Sequence, residues 1–151
     1  MAHTFTDSGL SALLGIWPRN NANDAVTYVG LFSTQTSGTV PNRTAQGGAA
    51  PASWTETTGL GYARRVHSAA GWGVPAVNGN GVRITGLQLA FTATGTWAVA
   101  NGFFLSNLVS SQAGDIPYYF ANFDSLVAKT LVSGDVLRIT PAVQFNVSAL
   151  S

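Results

Sequence analysis

The sequence predicts an all-β protein, an antiparallel β-sandwich or jelly roll of about eight strands with a short N-terminal amphipathic helix. Three observations lead there. Runs rich in Val, Ile, Leu, Phe and Tyr recur at intervals of about ten residues, the spacing of an antiparallel sandwich or barrel. Clusters of Gly, Asn, Asp and Ser, which favour turns, stand between them. Only one segment has the three- and four-residue apolar period of a helix. No internal repeat suggests a solenoid or a fibrous shaft.

That helix is predicted over Thr6 to Trp17, where Leu10, Leu13, Leu14 and Trp17 form one apolar stripe. Thr6, Asp7 or Ser8 can cap its start, and Gly15 and Pro18 end it. At about ten residues it is marginal alone, so the stripe must dock on its own sheet or on a neighbouring subunit. His3, before it, is expected in a frayed terminus. The N-terminal helix and turn occupy residues 1–24. A single β-domain fills 25–151, a size that suits one core.

The β-domain opens with a buried strand over Ala25 to Ser33. A long Thr, Ser, Gly, Ala and Pro loop follows over 34–58, with Trp54 its only large apolar residue. It is read either as an arm over a neighbouring copy or as a surface loop pinned by Trp54. Gly59 to Ala69 is predicted as a glycine-released strand, with Tyr62, Arg64 and Val66 on one face and Ala63, Arg65 and His67 on the other. Val82 to Phe91 has a period of two that breaks at Thr85-Gly86, which suggests a bulge. Thr96 to Leu105 is the longest alternating run. Further strands are predicted over 118–123, 126–131, 136–140 and 143–147, with a tight turn at Val132-Ser-Gly-Asp135.

Composition limits the function. Charged residues make up 9% of the chain against roughly 25% in ordinary soluble domains, while hydrophobic residues make up 46%. Such a chain lacks the charged coat of a free monomer and reads as a subunit covered by neighbours. Seven Lys and Arg against six Asp and Glu give a net charge of +1, with no basic run beyond Arg64-Arg65, which argues against nucleic acid as a partner. Cysteine is absent, so disulfides and thiolate metal sites are excluded. No secretory signal is visible, no apolar run approaches the ~18 residues of a membrane span, and cytoplasmic synthesis is expected.

No catalytic constellation stands out. The histidines are His3 and His67, and neither has the context of a nucleophilic triad. Asp7, Asp24, Glu56, Asp115, Asp124 and Asp135 lie at predicted turns or caps, where carboxylates serve local hydrogen bonding. No Asp-x-Asp spacing pre-assembles a cation site. The glycines at 59, 61, 71 and 73 lack the helix and lysine of a phosphate loop. Asn42-Arg-Thr44 and Asn146-Val-Ser148 are acceptor triplets that matter only in a secreted chain. Trp54, Trp72, Tyr118 and Tyr119 offer a sugar-stacking platform or, more simply, core and interface anchors. No cofactor or metal is expected.

Several segments together resemble a known family. They are Tyr28-Val-Gly-Leu-Phe-Ser33, Gly59-Leu-Gly-Tyr-Ala-Arg64, Trp97-Ala-Val-Ala-Asn-Gly-Phe-Phe-Leu105, Tyr119-Phe-Ala-Asn122 and Lys129-Thr-Leu-Val-Ser-Gly-Asp-Val-Leu-Arg-Ile-Thr140. Their order resembles small bacteriophage virion proteins, described as tail fibre proteins and similar to jelly-roll capsid decoration, or cement, proteins. The resemblance spans about Leu10 to Val147. It implies a non-enzymatic, homotrimeric virion protein, made in the host cytoplasm and bound to the major capsid protein or to tail proteins. The compact chain, without repeats or coiled coil, favours decoration of the head, with a tail-fibre or tail-tip module as the alternative. Leu10, Leu13, Leu14, Trp17, Trp54, Arg64 and Arg65 are the expected contact residues. Arg64 should fasten a loop or a neighbour through charge-assisted hydrogen bonds to a carboxylate or backbone carbonyls.

Overall fold

The computed structural model describes residues 3–5, 26–34, 54–78, 81–111, 115, 117–123 and 129–146. They form antiparallel sheets throughout, and their one helical piece is a 3-10 turn at Ala69–Gly71. The strands are β1 (His3–Phe5), β2 (Val26–Thr34), β3 (Trp54–Glu56), β4 (Arg65–Ser68), β5 (Ala76–Asn78) and β6 (Gly81–Thr85). After them come β7 (Leu89–Thr92), β8 (Gly102–Ser106), β9 (Pro117–Asn122), β10 (Val136–Ile139) and β11 (Ala142–Asn146). The predicted helix, with Leu10, Leu13, Leu14 and Trp17, lies outside the described residues, as does most of the 34–58 loop. His3–Phe5, expected to fray, instead pairs in register with Ala121, Phe120 and Tyr119 of β9.

The largest sheet runs β1-β9-β8-β2-β3, with β4 also on β2. A second sheet joins β10 to β7, and a third runs β11-β6-β5. Val82 to Phe91 is therefore two strands rather than one bulged strand. The chain breaks at Gly86, and its halves enter different sheets.

Strand alternation sorts the large sheet's side chains into two apolar sets. Val29, Leu31, Phe103, Leu105, Tyr119 and Ala121 join Phe91, Ile139, Trp97 and others in the larger core cluster, which ties this sheet to the smaller ones. Their immediate neighbours Phe32, Phe104 and Phe120 point the other way and gather with Trp54 in a second cluster. Trp54 packs against Phe120 and Phe104 at ring-centroid distances of 4.9 and 5.3 Å. The lone large apolar residue of the predicted loop is thus buried within its own chain.

One feature of β2 positions the site. Its outer edge pairs with β4 over Val26–Val29 and with β3 over Phe32–Thr34, and both partners run in the same direction. β3 and β4 are thus one strand interrupted opposite Gly30 and Leu31. Residues 57–64 leave the sheet there, meet Trp97 through a bridge at Gly59, and return. The predicted strand over Gly59 to Ala69 is corrected accordingly: it begins only at Arg65. The alternation also differs, because Val66 points to solvent while Arg64 and His67 are buried.

Candidate functional site

The excursion ends on a buried polar cluster built around Arg64. The break in the β2 ladder leaves backbone groups of Leu31 without a strand partner, and buried peptide groups need one. Thr57 N–H donates to Leu31 O at 2.9 Å, and Leu31 N–H donates to the Tyr62 hydroxyl at 2.9 Å. Tyr62 in turn donates to Glu56 Oε1 at 2.9 Å. A tyrosine hydroxyl here fills the gap in a β-ladder.

Arg64 carries the charge of the cluster. Its Nε and Nη2 donate to the two oxygens of Glu56, both at 2.8 Å. Nη2 also reaches Asp115 Oδ2 at 2.8 Å, and Nη1 reaches Asp115 Oδ1 at 3.0 Å and the Leu108 carbonyl at 2.8 Å. The Ser106 hydroxyl lies 3.2 Å from Nη1 and donates to Asp115. The guanidinium sits over the Phe104 ring at 4.8 Å. All five guanidinium donors are engaged, an arrangement a lysine ammonium cannot reproduce.

Burial by itself would lower the Arg64 pKa, but hydrogen bonds and charge from Glu56 and Asp115 outweigh it and hold the side chain firmly protonated. Burial, reinforced by the charge on Glu56, pushes Tyr62 well above the ordinary tyrosine range. Burial also raises Tyr119, against the opposing influence of a Gln144 backbone hydrogen bond and the Arg83 charge.

The other candidates are dispersed. Arg65, adjacent to Arg64, lays its guanidinium over Phe91 at 5.9 Å. His67 is buried against Trp72, ring centroids 4.5 Å apart, with Nδ1 3.3 Å from the Ser68 carbonyl. Trp72 is half-buried, and Trp54 and Tyr119 are buried. Asp135 acts as a turn residue, its carboxylate accepting from Val132 N–H at 2.9 Å. Asp7, Asp24 and Asp124 lie outside the described residues. Among the described residues no three His, Asp, Glu or Cys side chains converge on a metal site.

The sequence pattern singled out Arg64 and the kind of bond it makes, but not its partners. Glu56 and Asp115 read as isolated turn carboxylates, 8 and 51 residues from it in the chain. Scarcity was the available signal: a buried arginine in a chain with six acidic residues must recruit from a short list. Chemically the cluster is a closed fastening, its donors and acceptors turned on one another. No protein-family model, curated protein or solved structure matches this chain.

Proposed function

We propose that the chain is a structural subunit of a bacteriophage particle, a homotrimeric decoration protein that binds the outer shell of the head and stabilises it. One observation carries this reading. Among the described residues ten large apolar side chains stand exposed, from Leu60 to Val136, in a chain with only 9% charged residues. A surface of that composition is suited to contact with other protein rather than to a free monomer. The antiparallel strands and the resemblance of the Gly-Tyr-Ala-Arg and Ser-Gly-Asp segments support the same reading. They also favour a jelly roll with an N-terminal helix as its full architecture. Of the described carboxylates, Glu56 and Asp115 bind Arg64, and Asp135 holds a turn.

The alternative is a tail-fibre or tail-tip module that binds a host glycan. It calls for exposed aromatic faces; of the four aromatics named from the sequence, Trp54, Trp72 and Tyr119 are buried or half-buried within the chain, and the Tyr118 side chain lies outside the described residues. Copy number separates the two readings. Quantitative mass spectrometry and immunogold labelling of purified particles should find the chain on the head in on the order of hundreds of copies, enough to engage many repeated shell sites. A handful of copies at the tail would select the alternative. Absence from the particles would overturn both.

A further inference from the structure

The aromatic face of the large sheet is covered, and the described residues supply only part of the cover. Phe32, Phe104 and Phe120 are fully buried and Trp54 nearly so, all within a single chain. The four stand on β2, β8, β9 and β3, and among the described residues no apolar side chain of the two smaller sheets joins them. Arg64 lies over Phe104 and shields part of it. Aromatic side chains have about 150–250 Å² each to bury, so the remainder needs a broad apolar partner. The opposite face of the sheet is already taken, since Val29, Leu31, Phe103 and Tyr119 pack there with Phe91, Trp97 and Ile139.

We propose that the N-terminal helix expected over Thr6 to Trp17 lies across this face of its own sheet, its Leu10, Leu13, Leu14 and Trp17 stripe against the aromatic cluster. Topology favours it. β1 and β2 stand on either side of the β9-β8 pair, which carries Phe120 and Phe104. Residues 6–25 join those two strands and so must pass the pair. Phe5 is opposite Tyr119, Tyr119 opposite Leu105 and Leu105 opposite Val29, which sets β1 three strand spacings, about 14 Å, from β2. A helix over Thr6 to Trp17 is about 18 Å long, enough to bridge that width. Composition selects the same segment. Of the other longer stretches outside the described residues, 35–53 holds Val40 as its one branched aliphatic side chain, and 124–128 and 147–151 bring one leucine each. The inference rests on the helix of the proposed architecture and not on the particle, and it changes the contact set. The stripe is used inside the chain, and Ser8 and Ala12, on the opposite side of the helix at about 100° per residue, face outward instead.

The test places single thiols in the full chain, which has no cysteine of its own. Leu14→Cys probes the stripe and Ala12→Cys the opposite side. Maleimide should label Leu14→Cys more slowly than Ala12→Cys by about tenfold or more, because labelling waits on local opening. That protection should persist on dilution from on the order of 100 μM to on the order of 0.1 μM, a range that crosses a micromolar Kd. Leu10→Cys repeats the reading if Leu14→Cys loses the wild-type circular dichroism spectrum. The docking face is read by a double-mutant cycle in urea, with Leu13→Ala, Leu14→Ala as one arm and Phe120→Leu as the other. Trp54→Phe replaces the second arm if Phe120→Leu does not fold. Contact predicts that the two arms are coupled by about tenfold in the unfolding equilibrium constant. Equal labelling at positions 12 and 14 overturns the docked stripe. Protection lost on dilution overturns docking within the chain and points to a neighbouring copy. Protection that persists while the two arms add without coupling overturns this face. Particle location is read independently by the copy-number experiment, so either reading can fail without the other.

Discussion

At the scale of residues, Arg64 ties Glu56, Asp115, Ser106 and the Leu108 carbonyl together. It neutralises two carboxylates that are largely out of water, and removing one partner of such a group leaves charge buried without compensation. Arg64→Ala should lower the unfolding free energy by about 3–5 kcal/mol. Arg64→Lys should restore only a minor part, because one ammonium cannot serve both carboxylates and the Leu108 carbonyl. Urea denaturation checks this, and an alanine variant within about 1 kcal/mol of wild type would show that the cluster contributes little. The tyrosines give a pH dependence of definite sign. Tyr62 and Tyr119 hold their protons more tightly folded than unfolded. Above about pH 10 the unfolded chain releases those protons while the folded chain keeps them, so stability is full below that range and lost above it. The fall should approach about 1.4 kcal/mol per pH unit for each tyrosine. Urea midpoints that stay level across this range would contradict it; Tyr62→Phe should remove one tyrosine's part of the slope.

At the scale of elements, two glycines mark where the backbone has no room or an unusual turn. Gly102 opens β8 where a Cβ would run into the Ala121 carbonyl and approach Phe32 Cε1 to 2.7 Å. Phe32 cannot yield easily, being fully buried and edge-on to Phe120 at 5.3 Å. Gly61 sits in the 57–64 excursion at φ +79°, with a Cβ position 2.6 Å from Thr94 Oγ1. Thr94 is exposed and can turn aside, so the main cost there is the left-handed backbone. Gly102→Ala should therefore cost about 2–3 kcal/mol and Gly61→Ala about 1–2 kcal/mol. Thermal or urea unfolding of the pair measures the order, and a reversed order would mean that backbone strain, not crowding, limits this sheet. The interrupted β3/β4 strand follows the same logic. Phe104 and Tyr62 crowd Gly30, and the chain leaves the sheet where β2 offers that glycine.

At the scale of the whole molecule, a polar deficit and an apolar surplus belong together. The core is supplied by both faces of the large sheet, yet exposed Val and Leu remain on turns and on the β5–β6 ladder. A fold this short of charge gains by having neighbours cover that surface. The copy-number measurement asks whether the chain sits in a particle, where such neighbours would be found.

The sequence by itself determined the all-β antiparallel class, nearly the span of β2, the turn at Ser133-Gly-Asp135 and the kind of hydrogen bond Arg64 makes. These depend on local period, turn chemistry and charge scarcity, which are written along the chain. Only the tertiary structure decided that Gly59 to Arg64 is an excursion rather than a strand. It also decided that Glu56 and Asp115 meet on one guanidinium and that Val82 to Phe91 divides between two sheets. Each of those outcomes depends on which strands lie side by side, and alternation within one strand is blind to its neighbours. Arg64 looked like one of two equivalent arginines on a strand. It is instead the buried bolt between a broken strand edge and the loop after β8, because the gap opposite Leu31 brings Tyr62, Glu56 and Asp115 within its reach.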